Sequence, residues 1–184
     1  MPILACEPDV YPDDLLSHEV ETESRWLAIY TRSRQEKELM RRLRSLRISF
    51  YCPLLPNRFR SAAGRVRTSY LPMFGNYVFV RCNAEERYQV LQTNLVSQTL
   101  EVGDGVELTR DLRQIQQLLQ RGAPLQVTNR LQAGTQVRIK HGSLSGIEGS
   151  ILKHQGESYL VVAVTFLQQG AIVKLHDGDV ESLC

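Results

Sequence analysis

The sequence has little cysteine, no long apolar run and no recognisable secretion signal. Its four cysteines stand far apart, with no C-x-x-C pair and no histidine at metal-ligand spacing. We therefore expect reduced thiols, no metal site and no cofactor. No apolar stretch approaches the roughly 20 residues of a membrane helix, and no basic segment followed by an apolar one opens the chain. These features predict a cytoplasmic protein that does not insert into a membrane.

The chain also lacks the residue patterns of an enzyme. Its histidines, His18, His141, His154 and His176, are scattered, and no nucleophile stands beside a base in a recognisable arrangement. No phosphate-binding loop motif is present. We therefore expect no catalytic residues and a protein that acts by binding.

Charges of opposite sign are separated along the chain. Residues 1–24 contain seven acids and no lysine or arginine, whereas residues 25–70 contain twelve basic residues and only two acids. Such a local positive excess is typical of nucleic-acid binding; the alternative is a solvated helix face beside a solubilising acidic segment. The proline-containing acidic segment is predicted to be poorly ordered. Our hypothesis is that it lies over the basic region and competes with nucleic acid.

After this segment the pattern predicts a strand, a helix, a strand and a hairpin. Apolar and β-favouring residues indicate strands at 26–31 and 48–55. Between them, Ser33 and Glu36 form a capping-box pattern at the start of the first helix. A hairpin is expected at 58–68, with most of its alternating arginines on one solvent face. It is either a probe of a nucleic-acid backbone or an exposed loop without a contact.

The stretch 71–81 is the one around which we expect the first domain to be arranged. A glycine–asparagine turn leads into a strand whose side chains alternate between two apolar faces. Helices can cover one face of a small sheet, so the aromatic face needs a second domain or a partner. The alternative is a central strand buried on both sides within one domain. The two faces are Val78 and Val80 on one side, and Tyr77 and Phe79 on the other.

The rest of the chain predicts two more helices and then strands only. Asn83 is placed to cap one helix, with Glu86 in the capping-box position. Thr109 is placed to cap the next helix, with Asp111 in its first turn. Beyond a short linker, strands separated by glycines predict a small closed barrel. Its predicted core is Val137, Ile139, Ile151, Leu160, Val162, Val164 and Val173.

Two motifs resemble a known family of transcription factors. The strand WLAIY at 26–30 with its following helix, and the stretch MFGNYVFV at 73–80, resemble the N-terminal (NGN) domain of NusG/Spt5 proteins. The stretch GTQVRI at 134–139, followed by regularly spaced glycines, is similar to their KOW motif. The resemblance covers about residues 25–184. The 73–80 stretch and the arginine-rich first helix are closer to specialised paralogues of the RfaH and UpxY kind than to housekeeping NusG.

Patterns and resemblance together predict an α+β fold in two domains. The first is an antiparallel sheet flanked by helices, the NGN fold, and the second is a small all-β SH3-like barrel, the KOW domain. The predicted boundaries are an acidic tail at 1–24, the NGN domain at 25–122, a linker at 123–131 and the KOW domain at 132–184.

The resemblance implies a transcription elongation or antitermination factor, expected to be a monomer. It implies binding to the clamp helices of the RNA polymerase β′ subunit, contact with the β subunit, and suppression of pausing or termination. The alternative is a ribosome- or RNA-binding KOW protein that does not act on RNA polymerase. The residues that correspond to the family's aromatic polymerase-binding pocket are Tyr30, Phe74, Tyr77 and Phe79.

Two further surfaces follow from the same resemblance. Specialised members read an exposed non-template DNA strand with basic and polar residues, and arginine supplies both charge and base-edge donors for that purpose. The family's barrel recruits a ribosomal small-subunit protein or the termination factor Rho through a loop that corresponds to Phe166 and Leu167, although Gln169 replaces its usual arginine. The implied DNA-binding residues are Arg32, Arg34, Gln35, Arg41 and Arg42.

Overall fold

The chain folds as two compact units. The computed structural model describes residues 7–17, 23–60, 64–128, 134–154, 157–175 and 180–183. Contacts divide the chain into Met1–Gly105 and Val106–Cys184. The division falls at the first residue of a helix that we had assigned to the N-terminal domain. The predicted domain boundaries at 25–122 and 132–184 stay predictions.

The N-terminal unit has the predicted α+β architecture. An antiparallel sheet of five strands carries helices, and a separate two-stranded hairpin is inserted between its strands. In chain order the elements are β1 (Val10–Tyr11), β2 (Arg25–Thr31), α1 (Glu36–Leu46), β3 (Ser49–Tyr51), β4 (Leu54–Arg60), β5 (Val66–Pro72), β6 (Tyr77–Cys82), α2 (Ala84–Gln92) and β7 (Val96–Glu101). The strand order in the sheet is β1-β3-β6-β2-β7, and β4 pairs with β5.

Helix α1 packs on one face of this sheet. The spacing predicts a core-facing stripe of Leu39, Met40, Leu43 and Leu46. The first three are fully buried. The prediction is wrong for Leu46, which is 42% exposed in the last turn of the helix. Burial of each such side chain stabilises the fold by about 1.5–3 kcal/mol. The contact therefore holds the basic outer face of α1 in a defined position. The sheet residues in this core include Leu27, Ile29, Val78 and Val80.

The two helices of this unit begin differently. Helix α2 has the predicted capping box: the Asn83 side chain accepts the Glu86 N–H at 2.9 Å, and the Glu86 carboxylate accepts the Asn83 N–H at 2.8 Å. Helix α1 has Gln35 at its N-cap and no side-chain cap bond. The prediction that Ser33 caps α1 is wrong, because a residue with φ of 60°, Arg34, turns the chain before the helix begins.

Residues 7–17 are not the poorly ordered tail that their composition predicted. Strand β1 pairs antiparallel with β3 at the edge of the sheet. Leu15 and Leu16 are fully buried. This part of the prediction is wrong because a short apolar pair and an edge-strand pairing decide the local structure despite the surrounding acids. Residues 1–6 and 18–22 of the predicted tail lie outside the described residues.

The predicted strand at 48–55 is interrupted. Strand β3 ends at Tyr51, and the chain bends through Cys52 and Pro53 before β4 begins. Strand β4 then runs through Pro56 instead of ending there, which is possible because a two-stranded hairpin has an unpaired edge for a residue without an N–H.

The hairpin itself is confirmed, but its arginines lie on both faces. Arg58 is opposite Thr68, and Phe59 is opposite Arg67. Because cross-strand partners share a face and successive residues alternate, Arg58 and Arg60 lie on one face and Arg67 lies on the other. The prediction of one arginine face is therefore wrong. The predicted tip at 61–63 lies outside the described residues.

The C-terminal unit is an all-β sheet preceded by a helix. Its six strands are antiparallel and follow the order β13-β9-β10-β11-β12-β8. In chain order the elements are α3 (Gly105–Gln120), β8 (Gln126–Thr128), β9 (Gln136–Ile139), β10 (Glu148–His154), β11 (Glu157–Val164), the 3-10 helix η1 (Thr165–Leu167), β12 (Gln169–Lys174) and β13 (Val180–Ser182).

The predicted core of this sheet is largely confirmed. All seven predicted residues are buried except Ile151, which is half-buried. Alternation along the strands did not identify Ile147, Val161 and Ala171, which are also buried. Over the described ranges no pairing joins β13 to β8, so closure of the sheet into a barrel stays a prediction.

Helix α3 begins a full turn earlier than predicted. It starts at Gly105, which places Thr109 in its second turn and not at its N-cap. Of the stripe predicted for this helix, Leu112, Ile115 and Leu118 are buried and Leu119 is half-buried. Thr109 and Asp111 are buried along the same stripe. Within the described ranges, no helix has the length and apolarity to span a membrane.

Candidate functional site

Tyr77 and Phe79 lie on the sheet face opposite helix α1. Strand β6 pairs with β2 so that Tyr77 is opposite Tyr30 and Phe79 is opposite Ala28. Cross-strand partners share a face, whereas the two valines between and after the aromatic residues belong to the α1 core. The predicted alternation is therefore confirmed.

The four predicted polymerase contacts divide into an accessible pair and a buried pair. Tyr30 and Tyr77 are half-buried, and their rings meet edge-on with centroids 5.1 Å apart and an interplanar angle of 71°. Phe74 and Phe79 are 1% and 0% exposed, with centroids 6.1 Å apart. The expectation that the aromatic face is left uncovered is wrong for Phe79, since alternation determines where a side chain points and not what covers it. Phe74, implied as a polymerase contact by the resemblance, is buried as well. We call Tyr30 and Tyr77 the tyrosine pair.

A single asparagine connects three elements beside the tyrosine pair. Asn76 has φ of 65°, a left-handed conformation that asparagine tolerates. Its N–H donates to the Glu36 carboxylate at 2.8 Å, its carbonyl accepts the Thr31 N–H at 2.8 Å, and its amide nitrogen donates to the Tyr30 hydroxyl at 3.4 Å. These bonds join the start of α1, the end of β2 and the start of β6. They position both members of the tyrosine pair.

Sequence reasoning missed this role of Glu36. The side chain is 8% exposed and lies 40 positions from its partner in the chain. The only local signal was a capping-box spacing, which pointed to a bond with Ser33. A long-range bond to a turn leaves no comparable pattern in one sequence.

The predicted DNA-binding residues lie in two adjacent segments. Arg32 and Arg34 are exposed in the loop before α1, and Gln35 is the half-buried N-cap. Arg41 and Arg42 are exposed on α1. The structure thus presents four of the five side chains to solvent along one stretch of chain. We call this stretch, residues 32–44, the basic segment.

Arg41 is held by two carboxylates. Its Nη2 and Nε donate to Glu7 at 2.8 and 3.0 Å, and its Nη1 donates to Glu38 at 2.9 Å. These hydrogen bonds, to Glu7 first and then to Glu38, raise the pKa of the Arg41 guanidinium. Arg42 lies 3.3 Å from the same Glu38. Glu7 belongs to the acidic segment, and it occupies the two-nitrogen edge of the guanidinium that a phosphate would otherwise use.

The two described cysteines are buried in the N-terminal unit. Burial raises the pKa of Cys82 to about 11 and also raises the pKa of Cys52. Both are therefore neutral thiols at physiological pH, which makes them poor nucleophiles and poor metal ligands. The described residues contain no cluster of three or more histidine, cysteine or acidic side chains that could hold a metal ion.

The predicted partner-binding loop of the C-terminal unit is the 3-10 helix η1. Phe166 and Leu167 are half-buried in it. The loop is tied to α3, because the Thr165 N–H donates to Asp111 Oδ2 at 2.9 Å. Burial raises the pKa of the Asp111 carboxyl, while the bonds from Thr165 and the nearby Arg110 act in the opposite direction.

We expect an Asp111→Asn variant to be stabilised relative to the wild type as the pH rises. The folded state has the higher Asp111 pKa, so it retains a proton that the unfolded chain has already released, and stability falls as the pH rises from the ordinary aspartate value through the raised one. Asparagine keeps an acceptor for Thr165 without this loss. Urea unfolding of the full chain at about pH 4 and pH 7 measures the effect. A Glu107→Gln variant on the same helix is the control, and an Asp111→Asn difference that does not change with pH would refute the explanation.

Together these features describe an α+β unit with an aromatic pair and a basic segment, followed by a unit in which a helix precedes an antiparallel sheet. Residues 24–124 match the family described as "Transcription termination factor nusG". This match spans more than half of the 184 residues, and the chain belongs to the NusG family.

One solved structure similar to the chain is described as "Crystal Structure of MjSpt4:Spt5 complex conformation B". The identity is 17%, the alignment covers 86% of this chain and 96% of that chain, and the TM-score is 0.28. At this TM-score the match does not establish a shared fold. Among curated proteins there is no match.

Proposed function

We propose that this chain is a transcription elongation or antitermination factor that binds the clamp helices of RNA polymerase β′ through the tyrosine pair. Membership of the NusG family supports a role in transcription. The observation that carries the proposed contact is the half-buried Tyr30–Tyr77 pair on the sheet face opposite α1. Aromatic side chains supply large contact area at low entropic cost and are enriched at binding hot spots. Contact with the polymerase β subunit belongs to the same proposal.

The basic segment is proposed to bind the exposed non-template DNA strand. Its arginines are solvent-exposed. Arg32 and Arg34 lie in the loop before α1, whereas Arg41 and Arg42 lie on α1, whose apolar residues are buried in the core. Contacts of this kind to phosphates are strong at low salt and carry little sequence information. Contacts from Arg32 and Gln35 to the edges of the bases would supply the sequence preference of the protein. Together with the aromatic stretch at 73–80, this supports a specialised paralogue of the RfaH and UpxY kind.

The η1 loop is proposed to bind a ribosomal small-subunit protein or Rho. Phe166 and Leu167 retain part of their apolar surface at the end of β11. Gln169, the first residue of β12, cannot make the ion pair that an arginine there would make. We therefore expect weaker binding to such a partner than a NusG with arginine at this position shows.

In vitro transcription tests the proposed function. Purified RNA polymerase is paused on a template that carries the protein's own upstream leader, and pause lifetimes are compared with and without the protein. We expect shorter pauses or readthrough of a terminator. Unchanged lifetimes, together with binding to ribosomes or structured RNA, would favour the alternative of a KOW protein that does not act on polymerase. The observation that favours this alternative is the burial of Phe74 and Phe79, two of the four predicted polymerase contacts.

A Glu7→Gln variant is expected to bind single-stranded nucleic acid about 2–5-fold more tightly at low salt. An exposed ion pair is worth about 0.2–1 kcal/mol, and glutamine removes the charge that competes with phosphate for Arg41. The slope of log affinity against log salt concentration should also steepen by about one, which corresponds to the release of one more counterion. Fluorescence anisotropy with a labelled oligonucleotide measures both quantities.

The matched control is Glu101→Gln, which removes a carboxylate paired with Arg87 on α2, away from the basic segment. If Glu7→Gln and Glu101→Gln change affinity equally, the effect comes from net charge and not from release of Arg41.

A further inference from the structure

The β4–β5 hairpin has a face that the functional assignments above leave unused. Strands β4 and β5 pair in register from Leu54 opposite Pro72 to Arg60 opposite Val66. On one face of the hairpin the cross-strand pairs are Leu55 with Leu71, Asn57 with Ser69, and Phe59 with Arg67. We call this the Phe59 face.

The Phe59 face is turned away from the core of the N-terminal unit. Tyr70, on the opposite face of the hairpin, packs against the α1 core. Phe59 and Leu71 are 46% and 49% exposed. A phenylalanine that keeps nearly half its surface in water, one residue before the end of a regular strand, has a ring available to a ligand.

The charge of the hairpin indicates the kind of ligand. Residues 54–72 contain four arginines and no aspartate or glutamate. An anionic partner is therefore favoured over a neutral or cationic one. Asn57 and Ser69 add hydrogen-bonding groups between the aromatic ring and the base of the hairpin. An exposed aromatic ring, an arginine directly across the strand and neighbouring polar groups are the parts that single-stranded nucleic acid needs, since bases stack on the ring and cations follow the backbone.

We propose that the Phe59 face binds a segment of single-stranded DNA, with a base stacked on Phe59 and a neighbouring phosphate contacted by Arg67. The choice of DNA over RNA rests on the proposed function, in which the non-template DNA strand is exposed. The site is separate in sequence from the basic segment and adds stacking to it. Arg58 and Arg60, on the other face of the hairpin, could contact phosphates equally well. Stacking on Phe59 is therefore what distinguishes the Phe59 face.

Fluorescence anisotropy with a labelled oligothymidylate of about 15 nucleotides tests the site in the full-length chain. We expect Phe59→Ala to weaken binding about 5-fold or more, because stacking on an aromatic side chain is worth about 1–3 kcal/mol per base. Phe59→Trp should restore binding, whereas Phe59→Leu should not. Arg67→Ala should reduce the slope of log affinity against log salt concentration by about one, since one phosphate contact is lost. Tyr88→Ala removes an exposed ring on α2, outside the hairpin; it is the matched control and should bind like the wild type.

Several outcomes would overturn the proposal. Wild-type affinity of Phe59→Ala, or full rescue by Phe59→Leu, would show that stacking is not involved; rescue by leucine would indicate an apolar protein partner instead. Equal loss of binding to a duplex of the same length would show that the face does not select single strands. Tighter, Phe59-dependent binding of oligouridylate would make RNA the ligand. Fluorescence of Trp26 verifies that each variant is folded.

Polymerase binding separates this proposal from the proposed function. The Phe59→Ala variant should bind RNA polymerase core enzyme like the wild type in the absence of nucleic acid. If the wild type itself fails to bind polymerase, the proposed function fails while the oligothymidylate result stands by itself.

Discussion

Replacing Phe79 with alanine is expected to lower the free energy of unfolding of the N-terminal unit by about 3–5 kcal/mol. The ring is fully buried, meets Phe74 edge-on, and lies opposite Ala28 and Tyr51 on its two neighbouring strands. Removing it leaves a cavity in the middle of a central strand. Natural domains have only about 5–15 kcal/mol of total stability, so the loss is a large fraction. Urea unfolding followed by Trp26 fluorescence measures it, since Trp26 is the single tryptophan and lies on the same sheet.

Two variants calibrate this result. Phe79→Leu fills most of the volume and should lose much less stability than Phe79→Ala. Tyr88→Ala removes a ring that is 64% exposed on α2, and it should change stability by no more than about 0.5 kcal/mol. If Phe79→Ala were as stable as Tyr88→Ala, the result would contradict the burial of the Phe79 ring in the structure. The prediction also means that Phe79 substitutions cannot test a binding surface, because they damage the fold.

A Glu36→Ala variant is expected to lose about 1–3 kcal/mol, because it removes the charged acceptor of a part-buried backbone N–H. That N–H belongs to Asn76, whose left-handed turn is also bonded to Thr31 and Tyr30. Loss of the carboxylate should therefore loosen the start of β6 as well as the start of α1. Amide hydrogen exchange should show loss of protection at Asn76, and Trp26 fluorescence gives the change in stability.

The control for this variant is Glu36→Gln, which keeps an oxygen acceptor at the same position. It should retain most of the stability and most of the protection at Asn76. A Glu38→Ala variant removes the next carboxylate along α1, which pairs with the exposed Arg41 and Arg42, and should cost little. Equal losses for Glu36→Ala and Glu38→Ala would mean that the turn does not depend on the buried bond.

Sequence patterns predicted the elements that depend on local periodicity. The alternation at Tyr77–Val80 was correct, and so was the α1 stripe except for Leu46 at its end, because each pattern is repeated over several neighbouring residues. The Asn83 capping box was correct because all of its partners lie within four positions.

Several of the errors concern interactions between distant segments. Whether Phe79 is covered, and which group Glu36 binds, depend on what the fold brings to them from elsewhere in the chain. The acidic segment shows the same effect: composition predicted disorder, yet Val10 and Tyr11 pair with β3 at the sheet edge. Hairpin arginines were assigned to one face because the register was not known, and a change of one residue in register exchanges the faces.

The most direct test of the account is the affinity of RNA polymerase core enzyme for a Tyr30→Ala/Tyr77→Ala variant. The two rings are half-buried and in edge contact, and central aromatic contacts commonly contribute 2 kcal/mol or more to binding, about 30-fold in affinity. We predict at least that loss for the double variant, wild-type affinity for Tyr88→Ala, and native Trp26 fluorescence for both. A folded double variant that binds polymerase as tightly as the wild type would contradict the central claim that this aromatic pair is the polymerase-binding surface.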